Sequence, residues 1–209
     1  MSDYTINRSK FSQALTDYIA ACTETDWLSL GEIYKFHFAD WLFNRIDFKI
    51  QSDEMILNIC ISSQNEIFDG KTKGINFLYT PKRFGNQILE LKDIQTIRYL
   101  FEGGPLVKEK IKTSLSLPKF SAWLATLLPD HYNTCPRIDL VNALEFLFDE
   151  KDLPKKGFNS FIKSQELLNI IRKEIHENIH KFSSLSEKFE VLQEITPVIE
   201  VWLVQDFIY

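Results

Sequence analysis

Residues 196–208 read Thr196-Pro-Val-Ile-Glu-Val-Trp-Leu-Val-Gln-Asp-Phe-Ile208, a stretch that is apolar almost all the way around a helical wheel. A threonine followed by a proline is typical of a helix start, because threonine caps free N–H groups and proline fits the first helical position. A helix without a polar face has to be buried on every side. The stretch therefore predicts a buried helix over 197–208.

The sequence stops directly after this helix, at Phe207-Ile208-Tyr209, without a polar tail. Two interpretations stay open at this point. The helix is either a C-terminal element docked into the core, or the beginning of a larger unit, in which case the chain is a fragment cut near a domain border.

Apolar residues recur at helical spacing through most of the remaining chain. Ser52, followed by Asp53 and Glu54, is typical of a capped helix start, and Gly70 of a helix end. We predict helices at 9–23, 27–44, 52–69, 93–101, 106–115, 118–128, 138–149, 159–182, 185–195 and 197–208.

Two short segments, 75–79 and 87–91, have strand character, and the loop between them contains Pro81 and Gly85. They predict a hairpin. The fold class is therefore mainly α within the α+β class, a helical bundle with a small β-hairpin in its N-terminal half. Gly103-Gly104-Pro105 is the clearest break and predicts a boundary between a mixed α/β domain, 1–104, and an all-α domain, 105–209.

Composition indicates a cytoplasmic protein. The 209 residues have a net charge of −5 and contain three cysteines without paired spacing, which favours a reducing compartment and thiols used as core residues. No signal peptide is recognisable at the N-terminus. No stretch reaches the roughly 18 apolar residues that a membrane helix needs.

One string has an established catalytic meaning: His176-Glu177-Asn178-Ile179-His180 matches the H-E-x-x-H pattern of zinc peptidases. On a continuous helix, two histidines one turn apart ligate zinc, and the glutamate acts as general base. On the predicted helix, however, both histidines lie opposite the apolar stripe, Lys181 follows the second, and no third ligand is evident. A zinc-dependent metallopeptidase with His176 and His180 as metal ligands is therefore the alternative hypothesis.

Arg172 and His176 in the same helix resemble the arginine–histidine spacing of HEPN-type ribonucleases. The resemblance implies that both side chains face an RNA phosphate. The separation is one residue shorter than in that family, and Lys173 stands where the family usually has asparagine.

A basic segment in the N-terminal half suggests a nucleic-acid contact. Residues 71–83 contain four basic residues and no acidic one, interleaved with aromatic side chains. Lysine and arginine bind phosphates, and aromatic rings stack on exposed bases. The candidate DNA-binding residues are Lys71, Lys73, Tyr79, Lys82, Arg83 and Phe84. A solubilised hairpin edge is the competing interpretation.

The C-terminal half carries a pattern of apolar helix, proline turn and second helix. It comprises Leu117-Pro118-Lys119-Phe120-Ser121-Ala122-Trp123-Leu124, then Leu128-Pro129-Asp130-His131-Tyr132, then a helix ending in Leu147-Phe148. Lys156-Gly157-Phe158-Asn159-Ser160-Phe161-Ile162 and Trp202-Leu203-Val204-Gln205-Asp206-Phe207 extend it. Over about 115–209, this pattern resembles the segment upstream of the GTPase domain in McrB-type restriction proteins.

The resemblance implies a cytoplasmic phage-defence system in which an N-terminal region recognises DNA, often modified DNA. In such systems a downstream GTPase motor recruits a nuclease subunit. This chain has neither the phosphate loop of the motor nor a nuclease motif, so the expected function is DNA recognition without catalysis or cofactor. Expected partners are DNA, the GTPase domain and the nuclease subunit, with no membrane. A pure protein-interaction module is a further alternative.

Overall fold

The computed structural model describes residues 4–24, 33–67, 89–135, 138–149 and 157–208. Within these ranges the chain is helical and contains no β-strand. In chain order the helices are α1 (Arg8–Glu24), α2 (Ile33–Phe43), α3 (Asp53–Ile67), α4 (Leu91–Phe101), α5 (Leu117–Leu127), α6 (Ile138–Phe148), α7 (Phe158–Glu177), α8 (Ser183–Lys188) and α9 (Pro197–Ile208), with 3₁₀ turns at Ile179–Phe182 and Glu190–Leu192.

The predicted buried helix is α9. The Thr196 hydroxyl accepts a hydrogen bond from the Ile199 N–H at 3.4 Å, which is the predicted cap. Every residue from Val198 to Asp206 is buried, because α2, α5 and α7 all pack against this helix. Burying each large apolar side chain contributes roughly 1.5–3 kcal/mol, so α9 is a major source of stability.

The other helices pack around this centre. α3 lies against α4 and α2, while α1 contacts α6 and α8. The Phe38 ring of α2 meets the indole of Trp123 in α5 edge-on at 6.4 Å. The buried core thus includes residues on both sides of Gly103-Gly104-Pro105, and the division into domains 1–104 and 105–209 stays a prediction.

The predicted stop at Gly103-Gly104 is confirmed in detail. The Gly103 N–H donates to the Leu100 carbonyl at 3.0 Å and the Gly104 N–H to the Tyr99 carbonyl at 2.9 Å, the two bonds of a Schellman motif. Gly103 has φ +86°, which favours glycine, and a Cβ on Gly104 would lie 2.4 Å from the Tyr99 ring. The turn therefore favours glycine at 103 through its backbone, and glycine at 104 leaves room for the Tyr99 ring.

Three helix predictions need correction. Residues 106–115 form turns, and 159–182 and 185–195 each break, at Asn178 and at Phe189. The hairpin predicted from 75–79 and 87–91 falls almost wholly outside the described ranges, and its last residues, 89–91, lead into α4. Within the described ranges, every helix is too short or too polar to span a lipid bilayer.

Candidate functional site

The candidate DNA-binding residues, Lys71, Lys73, Tyr79, Lys82, Arg83 and Phe84, all lie outside the described residues. The described residues stop at Ile67, the end of α3, and resume at Leu89, just before α4. The groups described below are those that the structure brings together.

The H-E-x-x-H string does not form one continuous helix. α7 ends at Glu177, and His180 lies in the following 3₁₀ turn. Asn178 causes the break: its side-chain amide donates to the Glu174 carbonyl at 2.8 Å, the acceptor that its own N–H would use in a helix. That N–H bonds the Ile175 carbonyl instead, at 3.0 Å. The prediction of one helix through His176 and His180 is therefore wrong.

The three residues of the zinc hypothesis also lie in three different environments. His176 directs Nδ1 to the Glu200 carboxylate at 2.7 Å, and Glu177 lies 4.0 Å from the Lys173 ammonium on the exposed face of α7. His180 is exposed on the 3₁₀ turn. In the part of the chain that the structure describes, no three histidine, cysteine or acidic side chains group as metal ligands. The described geometry gives no support to zinc chemistry.

Arg172 forms the most connected polar cluster of the C-terminal half, named here the Arg172 clamp. Its Nε donates to Glu200 at 2.6 Å, and its remaining N–H groups donate to the backbone carbonyls of Pro129 and, at 3.3 Å, Pro197. The side chains of Arg172 and Glu200 are only 14% and 10% exposed, whereas that of His176 is 74% exposed. Each nitrogen of the guanidinium thus has a partner within the fold, and the side chain is largely buried, which argues against an HEPN-type phosphate contact.

Two further side chains of α7 hold the connection between α5 and α6. The Gln165 amide bonds the Asn133 backbone twice, accepting from its N–H at 2.8 Å and donating to its carbonyl at 2.7 Å. Asn169 accepts from the Asn133 side chain at 2.7 Å. Because Gln165, Asn169 and Arg172 share one face of α7, the helix fixes the loop 128–135 along its length.

Tyr132, in the same loop, is half-buried against the core. Burial raises the pKa of its phenol, and Tyr99 raises it further, so the group is neutral at physiological pH. The loop is therefore held by α7 through Asn133 and packs against the core through Tyr132.

A second clamp lies in the N-terminal half and is named the Arg98 clamp. Arg98, on α4, donates from Nε to Asp53 in the first turn of α3 at 2.5 Å. Its other N–H groups donate to the carbonyls of Phe48 and, at 2.6 Å, Gln51. These contacts fix the connection between α2 and α3.

A buried carboxylate, Asp93, organises the segment after α4. It accepts hydrogen bonds from the Glu90 N–H at 2.6 Å, the Ser114 N–H at 2.8 Å and the Ser114 hydroxyl. One turn on, the buried Thr96 hydroxyl donates to the Lys112 carbonyl at 2.7 Å. The Asp93 side chain thus binds the Ser114 N–H, which in a helix over 106–115 would have donated to the Lys110 carbonyl.

The cysteines are structural thiols, as predicted. Cys22 and Cys60 are buried and Cys135 is partly so, and none of the three forms a disulfide. Burial raises the pKa of Cys60 to about 12 and that of Cys22 to about 11. Neither thiol has the thiolate character that nucleophilic chemistry requires.

No family model, curated protein or solved structure matches this chain. Function therefore has to be argued from the residues themselves.

Sequence reasoning missed Asp93, Gln165 and the partnership of Arg172 with Glu200. A glutamine between buried residues of an apolar helix face was a usable signal, since a buried amide requires partners. The spacing of Arg172 was noticed, but only as a contact with external phosphate.

Proposed function

We propose that this chain is the DNA-recognition region of a cytoplasmic phage-defence restriction system of the McrB type, without catalysis of its own. One observation carries the proposal: separate parts of the segment that resembles this family pack together. Its proline turn, α7 and α9 meet at the Arg172 clamp, where one guanidinium binds the carbonyls of Pro129 and Pro197. Parts of the pattern that are distant in sequence therefore belong to one packed unit.

Burial supports the same interpretation of the pattern. Its large apolar residues Phe120, Trp123, Leu128, Phe161 and Trp202 all lie in the core. These residues belong to a single hydrophobic cluster, so apolar positions from distant parts of the pattern pack together.

DNA contact is assigned to the basic segment 71–83 and the aromatic residues next to it. Lys71, Lys73, Lys82 and Arg83 bind phosphates, and Tyr79 and Phe84 stack on bases. The partners in the assembly are a GTPase domain and a nuclease subunit, which supply the motor and the cutting activity.

Fluorescence anisotropy with methylated and unmethylated duplex DNA tests the proposal on the full chain. We expect binding at low salt, with log K falling against log salt at a slope of roughly −3 to −4 or steeper, because the four basic residues of this segment contribute about four phosphate contacts. The double change Lys82→Glu with Arg83→Glu should abolish binding to both duplexes.

The matched control is Lys49→Glu with Lys181→Glu, two exposed lysines elsewhere on the molecule. It changes the net charge equally and should retain most of the affinity. Absence of duplex binding by the unmodified chain at low salt would refute the proposed function, as would full retention of binding by the Lys82 and Arg83 variant.

A further inference from the structure

A second basic surface lies wholly within the described residues. Residues 105–119, named here the lysine segment, contain four lysines and one acidic residue, Glu109, in a chain whose net charge is −5. All four lysines, Lys108, Lys110, Lys112 and Lys119, are exposed. The segment is therefore a locally positive surface on an acidic protein.

The backbone of this segment is fixed, so the lysines have a defined direction. The N–H groups of Lys110 and Ile111 both donate to the Val107 carbonyl, at 3.0 and 3.2 Å, and close a tight turn. Leu106, Ile111 and Leu115 pack against the core between the lysines. Apolar anchors thus point inward while the ammonium groups point outward.

Asp93 connects this surface to the chain that follows the first basic segment. Glu90 and Ser114 donate to the same carboxylate. Glu90 is where the chain enters α4, six residues after Phe84 in the sequence. The chain that follows the proposed DNA-binding residues therefore enters α4 at Glu90, and Glu90 is bound to the same carboxylate as the lysine segment.

From this arrangement we infer that the lysine segment is a second phosphate-binding surface, which contacts the backbone of the same duplex through Lys108, Lys110 and Lys112. The inference rests on the proposed function. Lys112 lies four positions after Lys108, so their Cα atoms are less than about 14 Å apart. One strand of B-form DNA carries one phosphate per about 3.4 Å of helix axis, so three phosphates can lie within reach of lysines grouped this closely. The contact is independent of base sequence and adds affinity rather than specificity.

The test is the triple neutralisation Lys108→Gln, Lys110→Gln and Lys112→Gln in the full chain, with duplex affinity measured from 50 to 300 mM salt. Loss of three phosphate contacts should make the slope of log K against log salt less negative by about 2–3. It should also weaken binding at 0.1 M salt at least about tenfold. The control is Lys49→Gln, Lys173→Gln and Lys181→Gln, also exposed, with the same change in net charge. It should leave the slope within about 0.5 of the unmodified chain.

The outcomes separate this inference from the proposed function. If the unmodified chain binds duplex and the Lys82 and Arg83 variant does not, but the lysine-segment variant keeps the original slope, only the inference fails. If the unmodified chain does not bind duplex, both fail. Unchanged duplex binding, combined with lysine-dependent binding to phosphatidylserine vesicles, would also overturn the inference and identify a lipid surface instead.

Discussion

Two arginine clamps hold the two halves of this molecule, and they differ in what they connect. Arg98 and Arg172 each donate from Nε to a carboxylate in the first turn of another helix and from their terminal nitrogens to backbone carbonyls. The Arg98 clamp closes one short stretch, from Phe48 to Asp53. The Arg172 clamp joins segments far apart in sequence, at Pro129 and at 197–200. The same set of arginine hydrogen bonds thus fixes one loop in the N-terminal half and joins distant segments in the C-terminal half.

The largest effect is expected from breaking the second clamp. Arg172→Met should lower the free energy of unfolding by about 3–5 kcal/mol, because it leaves the buried Glu200 carboxylate without its guanidinium. Urea unfolding followed by circular dichroism measures the change. Lys173→Met, at the next and exposed position, is the control and should change stability by less than about 0.5 kcal/mol. Equal losses in the two variants would contradict the clamp.

The hydrogen bonds beside the Arg172 clamp should matter almost as much. Gln165→Leu should cost about 2–4 kcal/mol, because the buried N–H and carbonyl of Asn133 both lose their partner. The same unfolding measurement applies, with Glu166→Gln at the neighbouring exposed position as control. A cost under about 1 kcal/mol would show that Arg172 alone fixes the loop.

The first clamp should be weaker. Arg98→Met is expected to cost about 1–3 kcal/mol, since its partner Asp53 is 22% exposed, against 10% for Glu200, and water replaces part of the lost contact. A loss equal to that of Arg172→Met would remove the distinction between a local and a long-range clamp.

The smallest effect is expected at the exposed partner of Glu200. His176→Ala should cost no more than about 1 kcal/mol, because the His176 side chain is 74% exposed and water can replace much of its contact with Glu200. A double-mutant cycle with Glu200→Gln measures the coupling between the two side chains. Coupling above about 2 kcal/mol would mean that His176 is an integral member of the clamp.

Features encoded in adjacent residues were predictable from the sequence. Thr196-Pro197 and Gly103-Gly104 determine a helix start and a helix end through their own backbone preferences, and both predictions are confirmed. The burial of α9 followed from its lack of a polar face.

Features that depend on distant partners were not predictable in this way. The turn conformation of the 106–115 stretch depends on Asp93 and Thr96, which lie on another element. The break at Asn178 has a local cause, because its side chain competes with its own N–H for the Glu174 carbonyl. The apolar periodicity continues across Asn178, however, and therefore predicted an unbroken helix. The candidate DNA-binding residues stay a prediction from charge pattern and resemblance.

Asp93 has a consequence for local opening of the protein. The Glu90 and Ser114 amides are distant in sequence but donate to one fully buried carboxylate. Both protons should exchange with solvent only when that carboxylate is released, so their exchange rates should rise and fall together. We therefore expect the start of α4 and the lysine segment to open together, as one cooperative unit.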